Sequence, residues 1–370
     1  MYHWTDENWP HFIWNDSLYE LAEKKFLSIA GLGQGAIDLI QSENKKESIL
    51  NILVKEALKT SAIEGEMVSR IDLVSSIKKK LGYNINIKNV KDKRSEGIAK
   101  AIVQSREDFD AELTETMMHQ WHEDIFLYTK TITKGQWRTG TEPMQIVSGS
   151  HGREVVHYEA PPSKQVPREM KRYIQWFNRT RTNPKHKISN PIVRSALAHL
   201  YFESIHPYED GNGRIGRILA EKALSQGLGH AALLSLSSSI DADKKLYYSQ
   251  LKKAQQTLKI DAWIAYFSQI VIAAQLEFNE TVQFVVKKSR FFEAIQNIVD
   301  KKQLKAIQKM VIDNQEFIGG MNASKYMSIN KVSKATATRD LADLVSKNIL
   351  ISKGKGRSTN YQVNLDMNSA

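Results

Sequence analysis

His206-Pro-Tyr-Glu-Asp-Gly-Asn-Gly-Arg-Ile-Gly-Arg217 gathers into one short stretch the groups that a phosphate-handling site requires. Gly211 and Gly213 let the backbone turn so that successive N–H groups converge as an anion nest. A helix beginning near Arg214 adds its positive N-terminal end. Asn212 brings side-chain donors for a phosphate or a ribose. Arg214 and Arg217, three apart on that helix, share a face and can engage two further phosphates. Asp210 is the acid that a phosphate-bridging divalent metal needs. His206, at the mouth of the loop, has the ordinary pKa best suited to proton abstraction near neutrality. A glycine-rich turn joining two helices would account for the glycines alone. It would not account for base, acid, amide and paired arginines together.

The stretch resembles the motif of the Fic (filamentation-induced-by-cAMP) family, His-Pro-Phe-x-Asp/Glu-Gly-Asn-Gly-Arg-x-x-Arg, with Tyr208 in place of phenylalanine as its departure. The resemblance implies AMP transfer from Mg·ATP to a Ser, Thr or Tyr hydroxyl of a protein target, the chain itself included. In that reading His206 is the general base and Asp210 holds Mg2+. Gly211, Asn212, Gly213 and Arg214 bind phosphates, and Arg217 binds the γ-phosphate. Such chemistry depends mainly on positioning and charge neutralisation. A UTP or phosphocholine donor is the variant reading on the same fold.

Thr60-Ser-Ala-Ile-Glu-Gly65 resembles the family's inhibitory motif, Ser/Thr-x-x-x-Glu-Gly/Asn. Thr60 and Glu64 are i and i+4 on one helix face. A carboxylate at a helix C-terminus is disfavoured by the dipole, so a cationic partner is expected, and Arg217 is the obvious one. Glu64 would then stand where the γ-phosphate belongs and turn the α-phosphate out of line. The alternative is that Glu64 places a water and the same site removes AMP. Two further pieces fit the resemblance. Met144–Tyr158 matches a β-hairpin flap, whose Ile146, Val147, Val155, Val156 and Tyr158 are expected to align a target segment by strand addition. Tyr247 and Gln255 fall in a stretch similar to the family's adenine-pocket lining.

The elements that must hold these groups read as helical almost throughout. Ser17 is expected to cap a first helix, with the glycines at 31, 33 and 35 interrupting or tightening it. Ile49, Leu50, Leu53, Ala57 and Leu58 give a stripe from about Glu47 to Glu64, stopped by Gly65. Further helices are expected at Ile71–Leu81, Ser95–Glu107 and Thr114–Thr129. Pro167–Asn178 carries Met170, Tyr173, Ile174 and Phe177 at helical spacing. Asn190-Pro191 is a cap with proline in the first turn, and Pro207 must end that helix by Ile205. The expected fold is therefore mainly α, and the resemblance implies a Fic-type helical bundle with a β-hairpin flap and a small C-terminal winged helix. Its expected domains are 1–92 carrying the inhibitory helix, 93–288 as the catalytic core, and 289–370.

Composition sets the outer limits. The chain has 370 residues, 41% hydrophobic and 25% charged, which suits a globular protein of two or three domains. It has no cysteine, which excludes disulfides, thiolate metal sites and cysteine nucleophiles. Met1–Trp14 lacks the apolar core of a secretory signal, and no apolar run reaches the length of a membrane span, so a cytoplasmic location is expected. Of the net charge of +11, +8 falls on Lys287–Ala370. There Ser333 is expected to cap a recognition helix bearing Lys334, Thr336, Thr338 and Arg339, followed by strands flanking the basic turn Lys353-Gly-Lys-Gly-Arg357. DNA or an acidic protein is the partner class this suggests, against a merely solvated face. A chain acting chiefly as a transcription regulator is the rival function. A metal hydrolase built on His119, His122 and Glu123 is a weaker rival, because the spacing is not His-Glu-x-x-His. A homodimer is left open.

Overall fold

The architecture is that of a computed structural model, which describes residues 2–83, 89–148, 155–312, 320–354 and 358–367. In chain order the helices of the first half are α1 (Glu20–Leu39), α2 (Ser42–Ile63), α3 (Arg70–Lys80), α4 (Arg94–Glu107) and α5 (Glu115–Ile125). The strands β1 (Gln145–Ser148) and β2 (Val155–Glu159) follow. Next come α6 (Val166–Thr182), α7 (Pro191–Ile205), α8 (Asn212–Leu228), α9 (Leu236–Ala242), α10 (Lys244–Ala254) and α11 (Asp261–Ile295). The chain closes with α12 (Lys301–Ile312), α13 (Ala323–Asn330), α14 (Lys334–Ser346), β3 (Leu350–Lys353) and β4 (Asn360–Val363). The fold is mainly helical, as the periodicity requires.

Two compact units emerge, one of residues 1–39 and 45–279 and one of residues 40–44 and 280–370. In the first, α7 is the organising element. Asn190 caps it by accepting from the N–H groups of Ile192 and Val193, with Pro191 in the first turn. All fifteen of its residues are buried, the polar Arg194, His199 and Glu203 included, so this helix is enclosed around its whole circumference rather than striped. One face packs with Phe26, Leu224 and Trp263; another packs with Trp121, Tyr173 and Tyr208. A third cluster, of Leu53, Val54, Leu73, Ile77 and Ile102, fixes α2 against α3 and α4.

The differences from the sequence reading are local and physical. Asn15, not Ser17, opens the first helical segment; its side chain accepts from Ser17 N over a 3-10 turn, Asp16–Tyr19, that leads into α1. The glycines at 31, 33 and 35 do not interrupt α1, which runs through them. The helix expected to continue to Thr129 ends at Ile125, where Phe126 leaves the helical region. The turn of the first hairpin lies outside the described residues, as does Lys355–Arg357 of the C-terminal basic turn.

In the second unit, Phe291, Ile295, Ile307, Tyr326, Leu341 and Leu350 form a separate core. Ser333 caps α14 through Thr336 N, and β3 pairs with β4 antiparallel, Leu350 opposite Val363. No described helix is long and apolar enough to cross a membrane.

Candidate active site

The site is the loop between α7 and α8. The αL conformation of His206, φ 50° and ψ 60°, ends α7, its N–H donating to Phe202 O. Arg138 then clamps the exit. Its backbone N–H donates to Pro207 O, and its guanidinium donates to His206 O at 2.8 Å and Pro161 O at 2.5 Å. Gly211 takes φ 81° just before α8, a conformation that a side chain would strain. The first turn of α8 therefore presents N–H groups that have no carbonyl within the helix.

Tyr208 is the packing anchor. It is fully buried and stacks on His122 at 4.0 Å between ring centroids. Its hydroxyl, the one atom added relative to phenylalanine, meets His119 Nδ1 at 3.2 Å. The side chain of Asn212 does not face outward as expected. Its Oδ1 accepts from Tyr208 N and its Nδ2 donates to Tyr208 O, both at 2.9 Å, so it staples the loop into shape. Asp210 is exposed, and one of its oxygens accepts from Gly211 N at 2.6 Å.

The two arginines are buried, each with a side chain 2% exposed, and both are held by carboxylates from the segment that follows α2. Arg217 donates to Glu64 Oε1 at 2.7 Å and to Thr60 Oγ1 at 3.0 Å. Burial pushes the Glu64 carboxyl up, but the pull of Arg217, with Arg214 and Lys244 behind it, leaves it below the usual glutamate range. Glu64 also overhangs the nest, since a Cβ on Gly213 would lie 2.5 Å from its Oε1. Sequence reasoning missed Glu66, whose Oε2 accepts from Arg214 at 2.9 Å. The signal was a second acid just past the Gly65 turn. Lys244 Nζ donates to Ile63 O and so ties α10 to the end of α2.

His206 is held neutral. Burial, with Arg138 adding to it, pushes its imidazole down to about 4, so the ring is uncharged at neutral pH. Tyr247 and Gln255, expected in an adenine pocket, are instead buried beneath the loop. The Tyr247 hydroxyl lies 2.7 Å from His199 Nε2, and Gln255 Nε2 donates to Glu203 O at 3.3 Å. The neighbouring Tyr248 is the more exposed of the two, at 41%, with Lys244 Nζ 5.7 Å from its ring centroid.

The hairpin places Ile146 opposite Tyr158 with a bulge beside it. Tyr158 faces inward, its hydroxyl donating to Ser204 O at 2.6 Å, so it anchors β2 to α7 rather than lining a docking edge. Val156 is 40% exposed and Ile146 is partly covered; the side chains of Val147 and Val155 lie outside the described residues.

The donor set bears on a metal. No group of three acidic or histidine ligands exists among the described residues. His122, of the rival metal reading, is committed on both nitrogens, Nδ1 accepting from Gly135 N and Nε2 meeting Asp210 O. A single exposed carboxylate at Asp210 suits a hard cation that takes most of its shell from phosphate and water, which is how Mg2+ is commonly held.

Comparison with known proteins follows the same lines. The Fic/DOC family profile matches residues 112–224, which contain the whole loop, and a domain of unknown function (DUF4172) matches residues 2–83. The chain is 29% identical over 99 residues to a probable protein adenylyltransferase of Aquifex aeolicus (strain VF5), covering 27% of each. It is 29% identical over 114 residues to the protein adenylyltransferase Fic of Drosophila grimshawi, covering 30% of this chain and 20% of that one. The chain thus spans about a quarter or less of the curated relatives it matches. In fold it is similar to a Fic family protein from Desulfovibrio desulfuricans G20, with a TM-score of 0.52 at 18% identity, covering 93% of this chain and 96% of that one. A Fic domain containing signaling protein from Bacteroides thetaiotaomicron VPI-5482 gives the same score and identity over 70% of this chain and 97% of that one. The helix–loop–helix that carries His206, Asp210, Arg214 and Arg217 thus lies within the stretch, residues 112–224, that matches the Fic/DOC family, and the fold around it is similar to that of solved Fic proteins.

Proposed function

We propose that this chain is a protein adenylyltransferase, which moves AMP from ATP onto a hydroxyl side chain of a protein, and that Glu64 holds it in check. The observation that carries the reading is the meeting of a neutral, partly exposed imidazole with the N-terminus of α8 and the two buried arginines of that helix. The arginines and the first-turn N–H groups of α8 are donors for a triphosphate. Asp210 is the residue that would hold Mg2+, which when bound neutralises phosphate charge. His206 takes the proton of the incoming hydroxyl. The hydroxyl oxygen bonds to the α-phosphorus, the bond to the β-phosphate bridge breaks, and pyrophosphate leaves. Tyr248, rather than Tyr247, is the aromatic face available to adenine. Val156 and the free edge of the hairpin receive the target segment as an added strand.

Glu64 and Glu66 stand in the triphosphate's place on Arg217 and Arg214. While they do, a nucleotide lacks its two guanidinium partners. Removal of AMP by a water placed at Glu64 is the reverse use of the same geometry. The test is labelling by α-labelled ATP with magnesium, with mapping of the modified peptide. Excess unlabelled ATP is expected to abolish labelling and excess UTP to spare it; the opposite pattern would overturn the choice of donor.

A second reading belongs to the unit of residues 280–370. On α14, Lys334, Thr338 and Arg339 are exposed, with Arg339 80% exposed at its side chain, beside a β3–β4 hairpin. This arrangement supports a winged helix whose basic face meets a DNA backbone or an acidic protein. Duplex binding that weakens steeply between about 50 and 200 mM salt is expected for DNA. Retention of no duplex at the lower salt would remove that partner.

A further inference from the structure

We propose that Glu203 is a positioning residue for His206: its side-chain carboxyl decides which imidazole nitrogen carries the proton. Glu203 lies one turn before His206 on α7, so the ring of the αL residue folds back over its own helix. His206 Nδ1 is 3.8 Å from Glu203 Oε2, too long for a hydrogen bond but within one small rotation of it. Three buried polar atoms at this point, His206 Nδ1, Glu203 Oε1 and His199 Nδ1, have no hydrogen bond of good geometry among the described residues, although the backbone of residues 203 and 216 lies near the two imidazoles. They sit where α8 crosses α7 closely. A Cβ on Gly216 would fall 2.4 Å from Glu203 Oε1 and 3.2 Å from His199 Nδ1. Buried polar groups are seldom left orphaned without a functional reason.

The surroundings fix the charge of that carboxyl. Arg217 of α8 and Glu64 beyond α2 face it, as do Tyr247 and Tyr248 of α10, Tyr158 of β2 and Tyr173 of α6. Burial pushes Glu203 up to about 8, with Arg217 opposing and Glu64 adding. Below that pH it carries a proton and donates to Nδ1, which leaves the proton of the imidazole on Nε2. Above it the carboxylate accepts Nδ1–H, and the Nε2 lone pair is free to take the hydroxyl proton. The imidazolium formed during transfer then lies beside an anion. The main-chain carbonyl of Glu203 is the competing acceptor for Nδ1–H, so the side chain must be tested directly.

The role in turnover rests on the transfer reading; the pairing itself does not. Nitrogen NMR of the full chain with labelled histidine, with the His206 signals assigned by their loss in His206→Ala, reads the tautomer without any reaction. In the wild type the Nδ1–H form is expected to grow through about pH 8, and in Glu203→Gln the tautomer is expected to be flat across that range. Glu203→Asp, which keeps the charge, should retain a transition. In the Glu64→Gly background, where Glu64 no longer pushes Glu203 up, kcat should rise through a lower pH than the wild-type tautomer transition, and adding Glu203→Gln should lower it about tenfold at pH 8.5 with KM for ATP unchanged. A tautomer with the same pH dependence in Glu203→Gln as in the wild type overturns the proposal. A tautomer transition without AMP transfer by Glu64→Gly upholds the pairing and overturns the activity reading instead.

Discussion

Glu64→Gly is expected to incorporate AMP at least about tenfold faster than the wild-type chain under the same ATP and magnesium, read as initial rate of labelling. The size follows from what the carboxylate does. It holds Arg217 by a 2.7 Å charged hydrogen bond in a site where both partners are largely out of water. Displacing it costs the nucleotide that contact before the γ-phosphate gains its own, and about 1.4 kcal/mol of such competition is already a factor of ten. Removing one partner of a buried ion pair also leaves the other uncompensated, at a cost of about 3–5 kcal/mol. The variant should therefore melt below the wild type without nucleotide and regain much of the difference with Mg·ATP, which supplies Arg217 with a new anion. Glu66→Ala, freeing Arg214 alone, should raise the rate less, because Glu66 is more exposed, 31% against 23% at the side chain. Acidification is not expected to lift the proposed brake. Glu64 titrates below the ordinary glutamate range, so its pairing is intact above that range and is lost only as pH falls through its lowered pKa. Equal labelling by wild type and Glu64→Gly would remove the brake from the account.

The fold was legible wherever the signal was local. Asn190-Pro191 and Pro207 delimit α7 in the sequence, and the structure starts and ends the helix within that frame. The hairpin strands and the capping of α14 by Ser333 were equally readable, because turn and cap chemistry act over a few residues. What failed was the direction of side chains. Tyr247, Tyr158 and Asn212 all sit at places the sequence marks, yet each is spent inward, on His199, Ser204 and the Tyr208 backbone. Neither periodicity nor a motif tells which of two adjacent tyrosines faces the core; that depends on how α10 packs beneath α7. Glu66 and Glu203 were missed for the opposite reason. Their partners are distant in sequence or lie across a non-helical turn, so spacing on one element cannot pair them. The Glu64–Arg217 contact spans 153 residues as well, but there the resemblance supplied what spacing could not.

His206→Ala in the Glu64→Gly background is expected to lose AMP transfer by about 10²–10⁴-fold while still binding ATP, as read by labelling rate and by nucleotide titration. His206 donates no side-chain hydrogen bond that shapes the phosphate nest; the loop is shaped by Asn212, Gly211 and the Arg138 clamp, which grips the backbone carbonyls of residues 205 and 206. Removing the imidazole therefore takes away the proton acceptor and leaves the donors to the triphosphate in place. One complication is the backbone, since φ 50° at this position strains alanine more than it strains histidine or asparagine. His206→Asn separates the two effects, because asparagine tolerates αL but cannot accept a proton near neutral pH. If lost basicity is the cause, both variants fall together in rate while their ATP affinities stay within about threefold of the parent. If Asn restores transfer and Ala does not, His206 serves only to turn the chain, and the base must be sought elsewhere in the loop.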